Sequence, residues 1–218
     1  MLNWEYFVEL FIGGLTRGSI YALIALGYTM VYGIIQLINF AHGEIYMIGA
    51  FTALIVTGVL TLMGWNSIAI LFIAAAIAVV YSSAYGYTVE KIAYKPLRHA
   101  PRLSALISAI GMSLFLQNYV LLAQTSDFLP FPALIPDFKW LEPWEHIVRS
   151  SEIVIFATTA IVMVLLTFLI KFTRIGKAMR ATAQDREMAM LVGVDVNRVI
   201  SMTFLVGSAT AAIGGVLI

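Results

Sequence analysis

Residues 67–89 read SIAILFIAAAIAVVYSSAYGYTV, without one Asp, Glu, Lys or Arg. A helix rises about 1.5 Å per residue, so a run of this length spans the roughly 30 Å of hydrocarbon in a bilayer. The polar residues fall in one short patch rather than at every second position, which excludes a strand of a membrane barrel. Working outward, five further uncharged runs appear, at about 18–38, 45–63, 103–123, 153–170 and 199–218. The spacing therefore predicts an all-α, polytopic membrane helix bundle of six transmembrane helices in a single domain.

The whole chain agrees. Of 218 residues, 61% are apolar and 11% charged, with a net charge of +1, and the mean hydropathy is +0.93. A water-soluble domain carries about a quarter charged residues, so a soluble enzyme and a nucleic-acid binder are excluded. With no Cys, there is no disulfide or thiolate metal site.

Charge placement orients the bundle. Ten of the thirteen Lys and Arg lie in two loops two spans apart, Glu90 to Arg102 and Lys171 to Arg198. The positive-inside rule assigns both to the cytoplasm, leaving the N-terminus outside. The loop from Gln124 to Glu152 is then external. It is acidic, through Asp127, Asp137, Glu142, Glu145 and Glu152, and holds four of the six prolines, Pro130, Pro132, Pro136 and Pro143. Trp4, Trp65, Trp140 and Trp144 all fall on this outer side, where indole rings settle among headgroups.

Residues 4–16 set Trp4, Phe7, Leu10 and Phe11 on one helical face, and a short helix lying along the outer interface is expected there. Glu5 and Glu9 do not fit the basic start of a signal peptide. Val216, Leu217 and Ile218 close the sequence while it is still apolar, and truncation of a longer chain is expected.

Three features could carry function. Asn39-Phe-Ala-His-Gly-Glu44 interrupts the first two spans. Asn39, His42, Gly43 and Glu44 could belong to an unwound stretch beside a translocation path. They could equally form a tight turn, with Asn39 capping the second helix and Glu44 favoured by its dipole. His42 as a metal ligand is disfavoured, since His99 and His146 lie in loops on opposite sides.

Lys177 to Leu191 is rich in Ala, Met and charged residues and is expected to form one short cytoplasmic helix. Gly193 suits its C-terminus and Asp195 the cap of the re-entering helix. Ala178, Ala181, Ala183 and Ala189 allow close docking into another protein; a basic helix lying on anionic lipid is the alternative.

The pairs Gly14/Gly18, Gly207/Ala211 and Ala211/Gly215 are expected to let helices pack closely. Gln117 and Asn118, within the fourth span, are expected to face neighbouring helices or a cavity. The chain has no phosphate-binding loop, no zinc motif and no paired intramembrane carboxylate, so it is read as a non-enzyme that binds no cofactor itself.

Residues 18–33, GSIYALIALGYTMVYG, and 38–50, INFAHGEIYMIGA, resemble the LivH-type permease subunits of bacterial branched-chain amino acid ABC transporters. Residues 94–101, YKPLRHAP, and 176–185, GKAMRATAQD, continuing to Leu191-Val-Gly193, are similar to that family's internal loops. The resemblance implies an inner-membrane importer subunit for leucine, isoleucine and valine. It implies a second permease subunit, two cytoplasmic ATPases that use ATP, and a periplasmic amino-acid-binding protein. The ATPase-coupling residues it implies are Gly176, Lys177, Ala178, Arg180, Ala181, Gln184, Asp185, Ala189 and Gly193. Asn39, His42, Gly43 and Glu44 would stand near the path. Members have about eight spans, which strengthens the expectation of truncation. Another small polar solute, or a passive channel, is the alternative.

Overall fold

The computed structural model describes residues 4–98, 100–125, 127, 129–132, 134–136 and 148–217. These form helices α1 (Trp4–Ile35), α2 (His42–Leu62), α3 (Ser67–Val89), α4 (Arg102–Ala123), α5 (Ser150–Phe172), α6 (Arg174–Gln184), α7 (Arg186–Leu191) and α8 (Val196–Val216). Six of them are long and apolar enough to cross a membrane, and no strand occurs among the described residues. His99, His146, Trp140, Trp144, Pro143, Asp137, Glu142, Glu145 and Ile218 lie outside the described residues.

Polar residues between the runs start several of the helices. Asn66 accepts from the Ile68 amide at 2.9 Å. Thr173 caps α6 through the Gly176 amide at 3.0 Å, and Asp195 caps α8 through the Arg198 amide at 3.0 Å. Each side-chain oxygen satisfies a first-turn donor that the helix cannot.

The separate interfacial helix expected over 4–16 does not form. α1 runs unbroken for 32 residues, because nothing from Leu10 to Ser19 caps or blocks it. Gly13 and Gly14 each cost about 1 kcal/mol relative to Ala, which is too little to end a helix extended on both sides. The aromatic face does exist: Trp4 stacks on Phe7 at 5.7 Å and Phe7 on Phe11 at 6.4 Å.

α8 is the most buried of the six long helices, and α1, α2 and α3 surround it. Glycines set how closely they approach. A Cβ on Gly49 would sit 2.8 Å from the Ala212 Cα, one on Gly215 2.7 Å from the Tyr46 carbonyl, and one on Gly207 2.9 Å from a Val31 methyl. Gly27 and Gly86 face Thr210 and Ser208 of α8 with no room for a methyl. Where lipid gives helices no hydrophobic reason to associate, such close contact and interhelical hydrogen bonds hold them. Ser83 supplies one such bond, donating to the Leu205 carbonyl at 3.3 Å.

Gly207, Ala211 and Gly215 thus serve as packing surfaces, but Gly14 and Gly18 have nothing within 4 Å. The expectation for Gln117 and Asn118 also fails within this chain. Both are exposed on α4, and Asn118 donates to the Leu114 carbonyl of its own helix at 2.7 Å. That local bond meets the polar requirement in place of a neighbouring helix. In the 124–152 connection, Phe131 folds back onto the cluster of Ala53, Ala74, Ala78 and Val216.

Candidate functional site

The chain returns to one end of the bundle three times: between α1 and α2, between α3 and α4, and between α5 and α8. The third return is a strap made of α6 and α7. Sequence reading expects one helix over Lys177–Leu191, but the strap is two helices broken at Asp185. Its carboxylate accepts from the amides of Glu187 at 2.9 Å and Met188 at 3.0 Å. Asp prefers this N-cap role to a helix interior, and a new helix begins there. Gly193, at φ +85°, ends α7 in the left-handed region that glycine enters freely.

The small strap residues do not form a free docking face. Ala189 and Met179 belong to the central core, with Ala178, Ala181 and Ala183 packed against it. A Cβ on Gly176 would strike the carbonyls of Leu169 and Ile170, so this glycine lets α6 fold against the end of α5. The reason is periodicity: the alanines share the stripe that contains Met179 and Thr182, which are 2% and 1% exposed. The exposed face instead holds Lys177, Arg180, Gln184 and Asp185. It ends in Met188, Met190, Leu191 and Val192, the last two 81% and 77% exposed. Gly193 is also exposed.

Arg186 ties the strap to α1. Its guanidinium donates to the carbonyl of Ile34 at 2.9 Å and to that of Ile35. These are among the carbonyls a helix end leaves without intrahelical partners. The next residue, Gln36, stands at φ 56°, which closes the helix without a glycine and costs about 1 to 2 kcal/mol. Arg180 similarly donates to the Ile170 carbonyl near the end of α5. Two arginines thus hold the strap against the ends of two spans.

The break at 39–44 is half buried. Asn39 and His42 are each 2% exposed, and Ala41 is fully covered. Asn39 does not cap α2, whose N-cap is Ala41 with no side-chain bond. The Asn39 Oδ1 instead accepts from the Tyr94 hydroxyl at 3.1 Å, beside the Ile38 carbonyl at 3.2 Å. The His42 Nε2 lies 3.2 Å from the Ile24 carbonyl and donates to it, fixing the tautomer. Its Nδ1 and the Asn39 Nδ2 are buried without partners. Glu44 stands in the first turn of α2 and accepts from Ser113 of α4 at 3.0 Å, whereas Gly43 is exposed with open space beside it.

Sequence reading missed Glu90. It starts the loop in the sequence, but α3 continues through a π turn over Glu90–Tyr94 and a 3₁₀ turn over Lys95–Leu97. Glu90 is completely buried there. It pairs with Arg98 and accepts from Ser201 of α8 at 2.8 Å, while Arg98 also donates to Asn197. A buried carboxylate persists only when paired and hydrogen-bonded, and both conditions hold. The π turn also packs the Tyr94 ring, tilted, against that of Phe204 at 5.1 Å between centroids. A carboxylate directly at the end of an apolar run, with an arginine eight residues on, was the available signal.

These contacts make one mechanical assembly. The strap is hydrogen-bonded to α1, the α1–α2 break to the π turn, and the π turn to α8. No group of three or more acidic or His side chains that could hold a metal occurs among the described residues. What the arrangement can do is pass a displacement of the strap to the helices around α8.

Comparison with known proteins agrees with this architecture. Residues 10–218 match the family described as branched-chain amino acid transport system / permease component. The high-affinity branched-chain amino acid transport system permease protein LivH of Salmonella typhimurium is 46% identical over 218 residues, covering 98% of this chain and 70% of that protein. BraD of Pseudomonas aeruginosa, a permease protein of the same description, is 46% identical over 217 residues, covering 98% and 71%. A probable LivH of Methanocaldococcus jannaschii is 24% identical over 94% of this chain and 64% of its own length. No solved structure matches the chain significantly. Six helices long and apolar enough to cross a membrane, with a match along nearly the whole length of the chain at this identity, place the chain in the family of branched-chain amino acid transport permeases, as a multi-pass membrane protein.

Proposed function

We propose that this chain is one of two membrane subunits of an ATP-driven importer of leucine, isoleucine and valine in a bacterial inner membrane. Its N-terminus lies outside and the strap in the cytoplasm. Two cytoplasmic ATPases hydrolyse ATP and a periplasmic binding protein delivers the amino acid, so this chain binds no cofactor. The observation that carries the reading is the strap, anchored to α1 by Arg186 while leaving Leu191 and Val192 exposed beyond it.

Exposed apolar side chains at the tip of a short helix, flanked by charged ones, suit a groove on a partner. ATP-driven closure of the ATPases pulls the strap, Arg186 carries the motion to α1, and the bundle reorients a cavity between the two permease subunits so that it opens alternately to each side. The break at Asn39–Glu44 moves with it, through Tyr94.

Uptake of radiolabelled leucine into proteoliposomes holding the complete complex tests the reading. Accumulation against a gradient, abolished without internal ATP, is expected. Equilibration that ignores ATP overturns it in favour of a facilitator. Labelling of Lys177 in intact cells by an impermeant amine reagent would overturn the orientation.

A further inference from the structure

A cavity of about 150 Å³ lies between α2, α3 and α4, away from the strap. Its apolar walls are Ile48, Phe51, Ile55 and Val56 of α2 with Val120 and Ala123 of α4, and its polar lining is Thr52, whose hydroxyl is taken by the Ile48 carbonyl, Gln124, and three tyrosines, Tyr81, Tyr85 and Tyr119. The rings follow one another at centroid separations of 5.0 and 6.4 Å. Their hydroxyls form a chain, Tyr81 to Tyr85 at 3.3 Å and Tyr85 to Tyr119 at 3.3 Å.

Proton counting leaves these hydroxyls one donor to spare. Each phenol has one proton to donate, and three phenols joined by two hydrogen bonds use two of the three. In the order Tyr81 to Tyr85 to Tyr119, the proton of Tyr119 is the one left for another acceptor. On the α4 side the cavity reaches the end of the helix at Ala123 and Gln124, and a donor left unused away from water costs free energy. Tyr81 and Tyr119 are 44% and 43% exposed, so the rim can be reached from outside this chain. An aliphatic pocket beside a spare hydroxyl donor matches an aliphatic side chain attached to a carboxylate. The volume is sufficient, because an apolar cavity of about 150 Å³ accommodates benzene.

We propose that this cavity is a side-chain subsite on the translocation path, holding the branched aliphatic group of the amino acid while Tyr119 donates to its carboxylate. The proposal rests on the transport reading above and adds a place where this chain itself distinguishes solutes. One methylene more or less in such a pocket changes discrimination by about tenfold or more.

The test uses the complete transporter in proteoliposomes, with its binding protein saturated in turn by leucine and by alanine, so that delivery is levelled and turnover is read. Ala123 is exposed, so Ala123→Phe can fill the cavity without entering the core. It is expected to lower leucine turnover about tenfold relative to alanine. Tyr119→Phe keeps the ring and removes the donor. It is expected to lower turnover of both solutes about tenfold, the worth of one hydrogen bond to a charged group. Membrane abundance and ATPase association are measured for both variants.

An unchanged leucine-to-alanine ratio in Ala123→Phe, with the protein present and assembled, overturns the subsite; a lipid acyl chain would then be the occupant. Wild-type turnover in Tyr119→Phe overturns the carboxylate contact, and it decides the matter even if Ala123→Phe fails to assemble. A wild-type complex that does not accumulate leucine overturns the transport reading and the subsite together.

Discussion

The guanidinium of Arg186, in the first turn of α7, donates to the carbonyl of Ile34 at 2.9 Å, joining the strap to the last turn of α1. The same group also reaches the Ile35 carbonyl, so a single side chain spans from the short helices to a membrane-crossing one. Hydrogen bonds to a charged group contribute about 1.5 to 3 kcal/mol. Arg186→Ala is therefore expected to loosen the strap without preventing membrane insertion. Uptake should fall more than tenfold while ATPase subunits still co-purify, and proteolysis between Gln184 and Gly193 should accelerate. Wild-type uptake would show that force reaches α1 by another route.

Glu90 and Arg98 are coupled inside the protein, the former completely buried. Removing one partner of a buried pair leaves an uncompensated charge and costs about 3 to 5 kcal/mol. Glu90→Ala should lower the detergent melting temperature sharply, and Glu90→Ala with Arg98→Ala together should cost less than the sum of the two. Additive effects in that double-mutant cycle would mean that the two side chains are independent.

The glycines divide into two classes by the space beside them. Gly86 faces Ser208 and Gly49 faces Ala212 with no room for a methyl, whereas Gly14 and Gly18 face open space. Gly49→Ala and Gly86→Ala should each destabilise the chain by about 1 to 3 kcal/mol through overpacking. Gly14→Ala and Gly18→Ala should leave its melting temperature unchanged or slightly raised, since Ala favours the helix. Equal losses at all four positions would contradict the central placement of α8.

Leu191 makes no demand on the fold, being 81% exposed. Leu191→Glu should preserve abundance and melting temperature, yet release the ATPases from the complex in detergent and abolish uptake. Retention of the ATPases at wild-type stoichiometry would move the docking face elsewhere on the strap. Asp185→Lys is a poorer probe, because the Asp185 carboxylate caps α7 and its loss costs about 1 kcal/mol of helix stability by itself.

Hydrophobic run length determined the six spans from the sequence, because a bilayer sets a minimum length that the chain must meet locally. Local chemistry also determined the α8 cap at Asp195 and the turn at Gly193, since each depends only on nearby backbone. The partners of polar groups were not legible in this way. Asn39 looks like a helix cap until Tyr94 is seen to take its oxygen. Glu90 reads as a loop residue until a π turn carries it beneath Ser201. The strap alanines pack inward because Met179 and Thr182 fix which stripe meets the core. Such pairings join residues tens to more than a hundred positions apart. Which group satisfies a buried donor or acceptor depends on how α1, α2 and α3 close around α8, and only the tertiary structure settles that.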